Sequence, residues 1–107
     1  MKIAVITPVS HLKGICELIE TKGDTFYLEK SAKEYVREML LKYDLDTIIC
    51  NPNEQKYKID QELLKGTKVN LINSCSTGLN HIDLEYCQKN KIRIQCHKND
   101  YELLIIL

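Results

Sequence analysis

The polar residues able to do chemistry stand at the ends of short apolar runs. The richest stretch is Ser74-Cys75-Ser76-Thr77-Gly78-Leu79-Asn80-His81, followed at once by Ile82-Asp83-Leu84. Gly78 lets the backbone adopt positive φ or approach a ligand closely. Successive amide N–H groups in such a turn form a nest that suits an anion. The plainer reading is a tight strand-to-helix turn, with His81 a hydrogen-bonding turn residue and Asp83 capping the next helix. Asn51-Pro52-Asn53 is a second polar turn, and His97-Lys98 follow a later apolar run. His11 lies outside any motif.

Five cysteines, at 16, 50, 75, 87 and 96, are odd in number and irregularly spaced, and no C-x-x-C occurs. Neither a disulfide framework nor a zinc site is signalled. Cys75, His81 and Cys87 match no common zinc spacing, so no metal is expected. Cys50, Cys75 and Cys96 end apolar runs, where cysteine acts as a small hydrophobe. Reduced thiols in a cytoplasmic protein are expected.

These residues are positioned by alternating short apolar runs and longer amphipathic stretches. Strands are expected at residues 3–6, 25–28, 47–50, 69–73 and 92–96. Between them, Leu12, Ile15, Cys16, Leu18 and Ile19 predict a helix over 11–22, with Gly23 as its stop. Ser31 with Glu34 reads as a capping box before a helix over 32–42, whose apolar stripe is Tyr35, Val36, Met39, Leu40 and Tyr43. Asp60 caps a short helix through Lys65 with Gly66 after it, and a last helix runs from residue 82 or 83 to 90.

Short apolar strands separated by helices imply parallel pairing with right-handed crossovers. The expected fold is a flavodoxin-like, doubly wound five-stranded α/β sheet in a three-layer αβα arrangement, strand order 2-1-3-4-5. Ligands of such a sheet bind beyond the carboxyl ends of the strands, where the polar turns fall.

Several uses of this fold fail on those turns. A phosphoacceptor domain needs acidic Mg²⁺ ligands after strand 1 and an aspartate ending strand 3, but Thr7-Pro8 and Cys50-Asn51 stand there. The first loop has Pro8 and no glycine to hold a flavin phosphate. A cysteine phosphatase needs an arginine six positions after its nucleophile, and His81 occupies that place after Cys75. The four glycines, at 14, 23, 66 and 78, are too scattered for a dinucleotide fingerprint.

The stretch from Leu71 to Leu84 resembles the strand-4 turn of the D-isomer-specific 2-hydroxyacid dehydrogenases, in which Gly/Ser-Thr-Gly-x-Asp/Asn-Asn/His-Ile/Val-Asp-Leu joins strand to helix. Glu85-Tyr86-Cys87 and Lys91-Ile92-Arg93-Ile94 are similar to the next helix and strand of that family. Asn51-Pro52-Asn53 and Ile59-Asp60-Gln61-Glu62-Leu63-Leu64 are similar to its strand-3 loop and short helix. The resemblance implies a substrate-binding domain whose turn amides hold a substrate carboxylate. It assigns substrate binding to Ser76, Thr77 and Gly78, with Asn51 from the neighbouring loop. The parent reaction it implies is hydride transfer between NADH and a 2-oxo acid.

The resemblance also implies what this chain lacks. The family's arginine, glutamate and histidine catalytic groups and its NAD-binding glycines belong to a following domain. No catalytic residue is therefore assigned, no cofactor is expected on this chain, and the isolated chain is expected to be inactive. Residues 1–98 read as the substrate-binding domain and 99–107 as the start of a truncated interdomain helix. A separate NAD-binding domain is one expected partner. The apolar tail Leu103-Leu104-Ile105-Ile106-Leu107 is a possible surface for self-association. Two other readings stay open: a stand-alone small-carboxylate binding or regulatory module, and a remnant without selected function.

Fifteen basic residues balance fifteen acidic ones, giving zero formal net charge in a chain of 107 residues. The long-range attraction used by nucleic-acid and anionic-membrane binders is absent. The N-terminal apolar run is too short for a signal peptide, and no run is long enough to cross a bilayer. Neither nucleic acid nor membrane is an expected partner.

Overall fold

Parallel strands are buried on both faces and so read as largely apolar runs, and the central strands here are buried throughout. The computed structural model describes residues 1–6, 15–28, 30, 32–50, 58–74 and 81–96, leaving aside the side chains of Ile15 and Cys96. The order is β1 (Lys2–Val5), α1 (Ile15–Glu20), β2 (Asp24–Tyr27), α2 (Lys33–Lys42), β3 (Thr47–Cys50), α3 (Gln61–Leu64), β4 (Leu71–Ser74), α4 (Leu84–Lys89) and β5 (Arg93–Cys96). The five strands form one sheet ordered β2-β1-β3-β4-β5, with every pairing parallel. All residues of β3 and β4 are buried, whereas edge strand β2 is only half-buried.

Strand alternation sorts the side chains onto two faces. Ala4, Ile48 and Ile72 are in register and share one face with Phe26 and Ile94. Against them pack Val36 and Leu40 of α2, Leu63 and Leu64 of α3, and Cys87 of α4. The opposite face carries Ile3, Val5, Ile49 and Leu71, all buried. There the Tyr27 hydroxyl reaches α1, donating to the Cys16 carbonyl at 3.3 Å and to Glu20 Oε1 at 3.1 Å, and α1 buries Ile19. Helices on both faces complete the three-layer α/β arrangement.

Two aspartates set the starts of the short helices. Asp60 caps α3 by accepting from the Leu63 amide at 3.3 Å, and Asp83 caps α4 by accepting from the Tyr86 amide at 3.1 Å. Asp60 also receives Lys33 Nζ at 3.0 Å, and Arg37 Nη1 donates to the Leu63 carbonyl at 2.9 Å. The first turns of α2 thus hold both ends of α3, satisfying groups that a four-residue helix leaves open.

The structure corrects two local expectations. The N-cap of α2 is Ala32, with no side-chain cap hydrogen bond, one residue after the expected Ser31. Ser31 itself lies outside the described residues. Gly23 does not end α1 in a left-handed conformation; α1 stops at Glu20, and among the described residues the positive-φ glycine is Gly66 after α3. Gly23 is small for another reason: a Cβ there would collide with the Met1 carbonyl oxygen, which accepts from the Asp24 amide at 3.0 Å.

Candidate functional site

Cys50 and Ser74 are paired residues that end the neighbouring strands β3 and β4. The two strands therefore end at adjacent points on the carboxyl edge of the sheet. Strand order reverses between β1 and β3, so this edge lies beside the switch point that favours ligands in doubly wound sheets. The segment leaving Ser74 returns at His81, and Asp83 starts α4 two residues later.

His81 is held by main chain and side chain together. Its carbonyl accepts from the Ile59 amide at 2.7 Å, and the Asp83 amide donates to the Ile59 carbonyl at 2.9 Å. These bonds form the isolated parallel bridge between Ile59 and Ile82. The imidazole points back at the strand ends: Nε2 lies 3.2 Å from Ser74 Oγ and 3.8 Å from Cys50 Sγ. Ser74 and Cys50 are fully buried. Nδ1 is also buried and has no hydrogen-bond partner among the described residues. Burial pushes the imidazole below its ordinary value, which favours the neutral ring.

A neutral imidazole has one donor and one acceptor nitrogen. Nε2 can accept from the Ser74 hydroxyl or donate to its oxygen, so the link survives in either tautomer. Sequence reasoning placed His81 as a turn residue, and its contacts agree. The Cys50 contact was not legible, because 31 residues separate the pair in sequence.

Asn73 was also missed. It is fully buried on the face opposite Ile72, with Nδ2 donating to Gln95 Oε1 at 3.4 Å and Oδ1 without a partner among the described residues. The only sequence signal is a polar residue interrupting the run Leu71-Ile72-Asn73. Cys87 is an inert thiol: burial, and then the Asp83 charge, push it up to about 11. Among the described residues no three His, Cys, Asp or Glu side chains converge as metal ligands. No helix of the described residues is long and apolar enough to cross a membrane.

The four residues expected to bind substrate, Asn51, Ser76, Thr77 and Gly78, lie outside the described residues. So do Cys75, His97, Lys98, His11 and the tail from residue 97 to 107, including the expected boundary at residues 98 and 99. The structure does place the residues that flank the turn, Ser74 on one side and His81 on the other.

Sheet order and crossover helices define a flavodoxin-like α/β domain, a fold in which ligands bind beyond the carboxyl ends of the strands. The chain belongs to the D-isomer specific 2-hydroxyacid dehydrogenase family, whose catalytic domain it matches over residues 3–99. It is 29% identical over 89 residues to the erythronate-4-phosphate dehydrogenase of Bacteroides thetaiotaomicron, covering 83% of this chain and 23% of that protein. Among solved structures, the NAD⁺-bound 3-phosphoglycerate dehydrogenase of Entamoeba histolytica is 34% identical with a TM-score of 0.72, over 90% of this chain and 32% of that one. The PH0520 protein of Pyrococcus horikoshii shares the fold at a TM-score of 0.76 and 23% identity, over 90% of this chain and 27% of that one. The chain thus spans about a quarter to a third of the length of these relatives.

The Entamoeba structure holds NAD⁺. The described residues of this chain do not fit a dinucleotide. Gly23 is pressed against the Met1 carbonyl, and Gly66 follows the last turn of α3 instead of opening a helix. Neither supplies the helix N-terminal glycine turn that cradles a pyrophosphate.

Proposed function

We propose that this chain is the substrate-binding half of an NAD-dependent D-2-hydroxyacid dehydrogenase. Its segment from Ser76 to Gly78, with Asn51 beside it, grips the carboxylate of a 2-oxo or 2-hydroxy acid. The observation that carries the proposal is the family match over residues 3–99, with β4 ending at Ser74 and the Asp83-capped α4 starting at Leu84 on either side of the motif. Hydride transfer needs nicotinamide, substrate and a general acid–base in one cleft. The nicotinamide is held, and the acid–base group supplied, by an NAD-binding domain outside these 107 residues. The chain alone has no dehydrogenase activity, and its setting is the cytoplasm.

The test is twofold. Pure chain mixed with NADH and a panel of 2-oxo acids leaves the NADH absorbance unchanged; oxidation above the enzyme-free rate contradicts the proposal. Oxamate, an unreactive 2-oxo acid mimic, binds the chain in saturation-transfer NMR, and Gly78→Val abolishes that binding without lowering the melting temperature. A chain indifferent to oxamate contradicts the carboxylate role.

A further inference from the structure

We infer that the open edge of β2 is an interface at which two copies of this chain pair, antiparallel and across a two-fold axis. Strand β2 closes one side of the sheet and is paired with β1 alone. The Asp24 and Leu28 amides donate inward to the Met1 and Val5 carbonyls, each at 3.0 Å. Strand geometry then turns the alternate residues, Thr25 and Tyr27, the other way, so their N–H and C=O groups face out of the sheet. Among the described residues these outward groups have no partner. An unpaired edge is a template for another strand unless it is covered, bulged or broken by proline. Here Tyr27 is 43% exposed, the ladder with β1 runs unbulged over Asp24–Tyr27, and that stretch holds no proline.

The strand is also complementary to its own copy. In an antiparallel pair centred on Phe26, Thr25 of each copy exchanges both main-chain bonds with Tyr27 of the other, so every outward group is satisfied. Phe26 meets its counterpart at the axis, where the closer spacing of a non-hydrogen-bonded pair suits aromatic contact. Its ring already stacks on Tyr43 of the α2 cap, with centroids 5.0 Å apart, which gives the contact a fixed aromatic flank. Asp24 stands on the same side of the strand by alternation, and Lys30 lies there too, its Nζ 5.9 Å from the Tyr35 ring centroid of α2. Both charges are exposed, and neither forms an ion pair among the described residues. The two-fold sets Asp24 of one copy diagonally across from Lys30 of the other, within reach of a lysine side chain, and repeats the contact beyond the axis. Zero formal net charge leaves no long-range repulsion between the copies.

Sedimentation equilibrium of the 107-residue chain from micromolar to millimolar concentration, read together with amide hydrogen exchange, tests the pairing. Wild type forms a dimer, and with rising concentration the Thr25 and Tyr27 amides gain protection while the inward Phe26 amide does not change. Asp24→Lys and Lys30→Asp each set like charges across the axis twice, and each raises the dissociation constant about tenfold. The double variant Asp24→Lys/Lys30→Asp returns pairing to near the wild-type level, which a general loss of folding could not do. Thr25→Pro removes an outward N–H, leaves the inward ladder bonds in place and is monomeric. A wild-type chain that stays monomeric up to millimolar concentration overturns the interface. A dimer indifferent to the charge variants, or protection gained elsewhere than at Thr25 and Tyr27, overturns it as well, because the copies then meet on another surface.

Discussion

The His81 ring sits where burial works against its charge, so it carries a definite pH signature. Among the described residues, the titratable group facing it from another element is the Cys50 thiol of β3, and the Asp83 carboxylate is committed to the Tyr86 amide. Its folded-state value lies below the ordinary 6.5. Above about pH 6.5 the ring is neutral in folded and unfolded chains alike, and it contributes no pH dependence. Below that, the unfolded chain takes the proton first, so the folded state loses stability until pH passes the folded value. Urea unfolding of wild type and His81→Gln, at about pH 7.5 and about pH 5.5, isolates this component from the other histidines. Wild type loses more stability on acidification than the variant. Equal losses in the two proteins contradict a buried neutral imidazole.

At the scale of elements, the helix starts and the close backbone approaches set the local energetics. Asp60→Ala and Asp83→Ala each remove a cap and lower stability by about 1 kcal/mol, measured by urea unfolding. The loss at Asp60 is the larger, because Lys33 is left without its closest partner. Gly23→Ala is more damaging than Gly66→Ala in a thermal melt. The first forces backbone apart at the Met1 carbonyl, whereas the second, at a φ of 82°, meets no atom within 4 Å and carries only conformational strain. A reversed order would show that Met1 yields easily.

These cases also mark what was legible in the sequence. The strands and their order were readable because short, largely apolar runs stand between helical stretches. Asp60 and Asp83 were readable because capping is local chemistry. The cap at Ala32 was not, since a capping box names a pattern, whereas this helix start is tied to the fold by the Lys33–Asp60 ion pair. The role of Gly23 was hidden because its neighbour is the chain start, 22 residues away. The turn expected at residues 76–78 lies outside the described residues, and the imidazole beside Ser74 and Cys50 depends on a contact across strands that no local pattern records.

For the whole molecule, the family match and the five-stranded parallel sheet agree on a domain of the D-isomer specific 2-hydroxyacid dehydrogenase family. A zero formal net charge offers no long-range pull on an anionic ligand, so the proposed carboxylate binding relies on short-range donors. The most direct test is a residue-by-residue titration of the isotope-labelled chain, first with oxamate and then with NADH. The account predicts that oxamate shifts the amides of Thr77 and Gly78, with smaller shifts at Asn51 and His81, while NADH shifts none of them. Shifts produced by NADH, or oxamate shifts confined to another part of the sheet, would contradict a chain that holds substrate and leaves the nicotinamide to another domain.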